Sequence, residues 1–298
     1  MRVFITGASG WIGSATVEEL VSAGHDVVGL VRSDVAATAL EARGATARRG
    51  DLDDMAGIGA GAEDADAVIH LANKHDFSDQ AKSNAAERAA VEAIGSVLRG
   101  THRPFLLAAG VAGLAGDRLA VETDRTPFHG PDAPRGGSEN LALGYLDEGI
   151  TTVSLRFAPT VHGDGDKGFI AILVAAARAQ GVSAYVGDGE QRWPAVHRSD
   201  AAALIRLALE DPAAMPVVHA VAEEGVRTRD VAAAIGRGLG LPVASIAPGD
   251  AAAHFGFLGG FFATDLATSS AKTRERLGWT PSGPTLVEDL AAGSYFRS

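Results

Sequence analysis

The feature that most limits what this chain can become is its first turn, Thr6-Gly7-Ala8-Ser9-Gly10-Trp11-Ile12-Gly13. Val3-Phe4-Ile5 before it is a short apolar run of buried-strand type, and Ile12, Thr16 and Leu20, joined by Val17 and Val21, recur behind it at helical spacing. Strand, glycine turn and helix follow one another directly. Glycine lets the backbone bend sharply and approach a pyrophosphate, whose charge is favoured by the free N–H groups and dipole of a helix start. In a chain with 37 glycines the spacing alone says little, and a tight loop without a ligand is the alternative reading. Its place straight after a buried strand is what gives it weight.

The alternation continues along the chain. Residues 27–31 form a second buried strand ending at Arg32, after a break at Gly24-His25-Asp26. A helix over 35–42, a short segment ending at Gly50-Asp51 and a strand over 67–71 come next. A helix over 85–98, a strand over 105–107, a helix around 139–147 and a strand over 152–156 complete the series. Strands that are apolar throughout, each followed by a helix, imply a parallel sheet covered on both faces, hence an α/β, doubly wound fold. Beyond Gly163 the rhythm loosens into a turn at 163–166, a helix over 169–178 and a turn at 187–189 after Tyr185-Val186. A helix over 200–209 and a strand over 217–219 read as a return to the sheet. We expect a dinucleotide-binding domain over 1–163, rejoined by 193–222, and a smaller C-terminal substrate lobe built from 164–192 and 223–298.

Composition removes several functions. A formal charge of −11 argues against duplex nucleic acid as a partner, because counterion release at phosphates needs clustered Lys and Arg. The absence of cysteine excludes disulfides, thiolate metal sites and a cysteine nucleophile. No metal site is expected, since no His-x-x-x-His pair occurs among the nine histidines. No G-x-S-x-G elbow marks a serine hydrolase. Apolar runs are too short for a signal-peptide core or a membrane span, so the expectation is a cytoplasmic protein with a small-molecule substrate and no membrane partner.

The end of the second strand bears on the cofactor. An acid roughly 20 residues past the glycine turn holds ribose hydroxyls in NAD-binding folds, whereas an Arg there accommodates a 2′-phosphate. This chain carries Arg32-Ser33, which favours NADP(H), although Asp34 one step later could serve NAD.

Together with the turn Thr6 to Gly13, four further segments carry a resemblance: Gly50-Asp51-Leu52, His70-Leu71-Ala72-Asn73, Pro159-Thr160-Val161-His162-Gly163, and the run from Ser269 to Pro281. In this order they resemble the extended short-chain dehydrogenase/reductase family, Rossmann proteins that include nucleotide-sugar epimerases and dehydratases. His75-Asp76-Phe77-Ser78 and Arg192-Trp193-Pro194-Ala195-Val196-His197 are similar to an atypical bacterial subgroup, epimerase/dehydratase-like or 3β-hydroxysteroid dehydrogenase-like. The resemblance implies that Asp51 and Leu52 border the adenine, that Leu71, Ala72 and Asn73 pass the cofactor, and that Pro159, Thr160, Val161 and His162 lie by the nicotinamide. It also implies a Ser or Thr after the fifth strand and a Tyr with a Lys four residues later, which together manage the oxygen and proton of a carbonyl reduction.

Here the pattern departs. After the fifth strand the chain reads Ala108-Ala109-Gly110-Val111-Ala112-Gly113, without a hydroxyl, and Arg135 and Glu139 fall where Tyr and Lys belong. Arg135 and Glu139 at i and i+4 can simply form an ion pair on a helix. In the functional reading Arg135 binds an anionic or carbonyl oxygen, being able to stabilise an oxyanion but hardly to donate a proton. His162, His75 and Tyr185 are the other candidates for proton transfer, each with a structural alternative. The expected function is an NADP(H)-dependent oxidoreductase reducing a small carbonyl compound, its apolar pocket drawn from Phe77, Trp193, Phe255, Phe257, Phe261 and Phe262. A non-catalytic NADP(H) sensor is the alternative, then a nucleotide-sugar epimerase or dehydratase. A homodimer is compatible with the resemblance.

Overall fold

A computed structural model of the chain describes residues 1–74, 76, 79–116 and 118–297. Its first part alternates strand and helix: β1 (Arg2–Thr6), α1 (Trp11–Ser22), β2 (Asp26–Val31), α2 (Asp34–Glu41), β3 (Thr46–Arg49), α3 (Met55–Glu63) and β4 (Ala67–His70). The middle continues with α4 (Gln80–Leu98), β5 (Pro104–Gly110), α5 (Ser138–Gly144), β6 (Thr151–Phe157), β7 (Thr160–His162), α6 (Phe169–Gln180), β8 (Ser183–Val186) and β9 (Arg192–His197). Then come α7 (Arg198–Glu210), β10 (Val217–Ala220), β11 (Glu223–Arg227), α8 (Thr228–Leu239), β12 (Val243–Ile246), α9 (Ala251–Phe255), α10 (Leu258–Phe262), α11 (Ala271–Leu277) and α12 (Leu286–Ala291).

Seven strands pair in the order β10-β6-β5-β4-β1-β2-β3, all parallel. This is the doubly wound parallel sheet read from the sequence. Strands β1, β2, β4 and β5 are largely apolar because successive residues face opposite helical layers. Val3, Ile5, Ile69, Leu106 and Val153 pack with Val17 and Leu20 of α1 and Leu204 and Ile205 of α7. Phe4, Val68, Phe105 and Leu107 pack on the other face with Ile58 of α3 and Val91, Ile94 and Leu98 of α4. Burying each such Leu, Ile or Phe contributes about 1.5–3 kcal/mol.

A third cluster holds Leu173, Val174, Trp193, Val231, Ile235, Phe255, Phe262, Leu286 and Leu290. Trp193 meets Phe261 at 5.1 Å and Phe262 at 5.0 Å between ring centroids, both edge to face. These aromatics therefore build the core of the lobe, not an open pocket. Phe257 is exposed, and Phe77 lies outside the described residues.

The stretch 193–222 divides between the two units. α7 lies along α1 and β10 pairs with β6, whereas β9 joins a three-stranded sheet ordered β11-β9-β7. Trp193 explains the division, since its indole is almost wholly buried in the lobe cluster. Trp279 travels the other way, packing in the main core with its Nε1 donating to the Asp200 carbonyl at 3.1 Å.

Candidate functional site

The turns after β1, β2, β3, β4 and β6 all open at the carboxyl edge of the main sheet, and strand order reverses between β1 and β4. Doubly wound sheets bind their ligands in the crevice at that reversal. Gly7 (φ +72°) sits in it so tightly that a Cβ would lie 2.7 Å from the Ala72 nitrogen, and a Cβ on Gly13 would lie 2.0 Å from the Gly7 carbonyl oxygen. The two glycines are required by packing of turn, strand and helix. Ser9 and Gly10 are exposed, Trp11 and Ile12 half-buried, and Gly10, the residue before α1, gives the helix no side-chain cap. Its first N–H groups are thus left for a ligand or solvent.

Thr6 takes no such exposed place. Fully buried, its hydroxyl lies 2.8 Å from His70 Nδ1 and accepts from the Ala72 N–H at 3.4 Å, tying β1 to β4. Arg32 is exposed at the end of β2. Ser33 caps α2, accepting from the Ala36 N–H at 3.2 Å, and Asp34 pairs with Arg49 of β3 at 3.3 Å. Asp51 turns back to accept from the Asp53 N–H at 2.8 Å, Leu52 is buried, and Leu71, Ala72 and Asn73 are half-buried.

The segment after β6 is tied to this turn. Trp11 Nε1 donates to the Val161 carbonyl at 2.7 Å, and the Arg198 guanidinium stands 4.2 Å over the Trp11 ring. Pro159 is half-buried and Thr160 buried. His162 is fully buried, its Nδ1 2.9 Å from Asp289 Oδ2 on α12, with no partner for Nε2 among the described residues. Burial holds this imidazole below the usual histidine range, against the pull of Asp289. A neutral ring that donates through Nδ1 offers a lone pair, not a proton, at Nε2.

The expected ion pair between Arg135 and Glu139 does not form. Pro134–Gly137 is a short 3₁₀ turn with Arg135 (φ 56°), Gly136 (φ 62°) and Gly137 (φ 63°) all left-handed, and α5 starts only at Ser138. Helical i to i+4 geometry is lost across it. Arg135 Nη2 instead donates to Glu87 Oε1 of α4 at 2.5 Å, while Glu139 accepts from Arg156 Nε at 2.6 Å and Ser154 Oγ at 2.8 Å. Two polar clusters result on the face covered by α4 and α5. The first joins His70, Asn73, Glu87 and Arg135, with Asn73 Nδ2 donating to Glu87 Oε2 at 2.7 Å and His70 Nε2 3.9 Å from Oε1. Asn73 thus ties the segment after β4 to α4.

Tyr185 lies on β8, paired in register with Ser245 of β12, and the described contacts do not bring it to Arg135, Glu87 or His162. His75 lies outside the described residues. Sequence reading assigned no role to Glu87, Asp289 or Arg156, and His70 entered only as part of the segment His70-Leu71-Ala72-Asn73. Glu87 had a signal: it interrupts the buried stripe Ser83, Ala86, Ala90, Val91, Ile94 of α4.

The second cluster continues from Arg156 Nη1 to His219 Nε2 at 3.4 Å, and His219 Nδ1 donates to the Ser269 carbonyl at 2.7 Å. Burial lowers His219 from 6.5 to about 4, with Arg156 adding to the fall and Glu122 opposing it. Between those values the unfolded chain binds a proton that the folded chain does not, so stability is full above pH 6.5 and is lost as pH falls toward 4, by about 3 kcal/mol in all. The unfolding free energy should therefore drop between pH 7 and 4.5, and His219→Gln should remove about 2–3 kcal/mol of that drop. An unchanged drop in the variant would assign the acid sensitivity to other groups.

A sequence profile of the NAD dependent epimerase/dehydratase family matches residues 3–222. The chain belongs to that family. It is 45% identical to an uncharacterized protein of Schizosaccharomyces pombe over 99% of this chain and 100% of that one. A 2-alkyl-3-oxoalkanoate reductase of Stenotrophomonas maltophilia is 29% identical over 70% of this chain and 66% of the reductase. Among solved structures, the UDP-glucose 4-epimerase of Thermus thermophilus in complex with NAD superposes with a TM-score of 0.74 over 100% of both chains at 20% identity. That likeness is one of fold. Among the described residues no helix is long and apolar enough to cross a membrane.

Proposed function

We propose that this member of the family is an NADP(H)-dependent oxidoreductase that reduces a small carbonyl compound without the tyrosine and lysine of related reductases. The observation that carries the reading is Arg32, an exposed guanidinium at the carboxyl end of β2, where an acid would serve ribose hydroxyls and an Arg fits a 2′-phosphate. The uncapped start of α1 above two obligatory glycines fits a pyrophosphate. When bound, such a cofactor supplies the hydride.

The chain's own residues do the rest. N–H groups at Trp11 to Gly13 hold the pyrophosphate, Arg32 the 2′-phosphate, and Arg135, 35% exposed at its side chain, binds the substrate. A guanidinium is a hydrogen-bond donor and not a general acid, so solvent water delivers the proton to the carbonyl oxygen. The likeness to a 2-alkyl-3-oxoalkanoate reductase supports a carbonyl substrate. A second reading, a cofactor sensor without turnover, draws on the Glu87–Arg135 and Glu139–Arg156 pairs, which neutralise the charges standing at the usual catalytic positions.

Titration with NADPH, NADP⁺, NADH and NAD⁺ followed by tryptophan fluorescence tests the reading, together with NADPH consumption on aldehydes, ketones and imines. NADPH should bind about tenfold or more tightly than NADH, and Arg32→Asp should reverse the preference. Binding without turnover selects the sensor, and NAD⁺ preference with conversion of sugar nucleotides selects an epimerase. Failure to bind any of the four overturns the proposal.

A further inference from the structure

The backbone at Arg135 is held in place from every side. Its N–H donates to Asn84 Oδ1 at 2.9 Å, its carbonyl accepts from Ser138 Oγ at 2.6 Å, and the next carbonyl, of Gly136, accepts from Arg88 Nη1 at 2.9 Å. A non-glycine residue at φ 56° costs free energy and persists only where the surroundings over-determine it. The side chain is fixed by a single bond from Nη2 to Glu87, a carboxylate with no exposed surface. A guanidinium has two two-donor edges that share Nη2, and one bond to one Nη2 hydrogen leaves the other edge whole. Nε and Nη1 have no protein partner among the described residues.

Glu87 is itself held from behind. Asn73 Nδ2 takes its second oxygen, and His70, anchored by Nδ1 to the Thr6 hydroxyl of β1, sets an unpartnered Nε2 3.9 Å from the first. One buried carboxylate thus links the strand that enters the glycine turn to the guanidinium at the open edge of the sheet.

We propose that Arg135 is a carboxylate-binding group whose direction is set by Glu87, so that the substrate of this site is a carbonyl compound that also carries a carboxylate. A single donor suffices for a ketone oxygen, whereas an intact two-donor edge matches the two oxygens of a carboxylate in parallel bonds. Glu87 acts as a positioning residue with Asn73 and His70 behind it. The inference rests on the reading of Arg135 given above but does not need turnover to be tested.

Oxalate is the probe, titrated calorimetrically into the intact protein. Arg135→Gly keeps a backbone that tolerates the left-handed conformation but leaves Glu87 with Asn73 as its remaining donor. If it does not fold, Arg135→Lys, which keeps a cation beside Glu87 but has no two-donor edge, takes its place in the oxalate comparison. The variant should weaken oxalate binding about tenfold or more. Millimolar guanidinium ion, far below denaturing levels, should restore that binding in Arg135→Gly and not in the Glu87→Gln/Arg135→Gly double variant. If the double variant fails to fold, Glu87→Asp in its place should weaken the rescue. Equal oxalate binding by wild type and Arg135→Gly overturns the inference, as does guanidinium rescue that ignores Glu87. Oxalate binding through Arg135 with no turnover on any carbonyl would end the proposed reduction and leave this inference standing; turnover without such binding would do the reverse.

Discussion

Arg156→Met should lower the unfolding free energy by about 3–5 kcal/mol at pH 7, measured by urea denaturation. Arg156 is 1% exposed on β6, the strand beside the edge strand β10 of the seven-stranded sheet, with Nε on Glu139, Nη1 on the Asp124 carbonyl at 2.8 Å and His219 beside it. Methionine fills much of the volume but leaves Glu139 charged and mostly buried, with the Ser154 hydroxyl as its remaining donor. A buried charge stripped of its partner costs far more than the pair contributed. The double variant Arg156→Met/Glu139→Leu should therefore recover most of the loss, and this recovery separates charge burial from lost packing. A loss below about 1 kcal/mol in the single variant would mean that Glu139 reaches water once Arg156 is gone.

Gly13→Ala should cost at least about a hundredfold in NADPH affinity and several kcal/mol of stability. The added methyl would stand 2.0 Å from the Gly7 carbonyl oxygen and 2.9 Å from its carbon, atoms of a turn that is itself wedged against Leu71 and Ala72. Neither side can retreat without parting α1 from β1, which would move the helix start away from the crevice at the sheet's carboxyl edge. Gly144→Ala is the control, since a Cβ there meets nothing within 4 Å in the last turn of α5. It should leave affinity unchanged and stability equal or slightly higher. Retained NADPH affinity in Gly13→Ala would place the dinucleotide somewhere other than the first turn.

Much of the fold was legible. Val3-Phe4-Ile5, the run from Val27 to Val31, and Ala67-Val68-Ile69 are apolar without alternation because both faces of their sheet are covered. The short strands β7, β11 and β12 left no such mark, being three to five residues long with mixed polarity. Their pairing comes from neighbours far away in the chain. At the site, the glycines were legible for a local reason: Gly7 needs a positive φ and Gly13 has no room for a side chain. The partners of Arg135 and Glu139 were not, because helical spacing assumed a right-handed backbone that three consecutive left-handed residues replace.

The sequence by itself determined the parallel sheet, the position of the glycine turn and the lack of a tyrosine with a lysine four residues on, since hydrophobic period and residue identity are local properties. Only the tertiary structure decided which charges meet. Glu87 lies 48 positions from Arg135, and Glu139 17 from Arg156. Such pairs are chosen by the desolvation of both partners in a common interior, a cost that neither residue's neighbours in the chain can reveal.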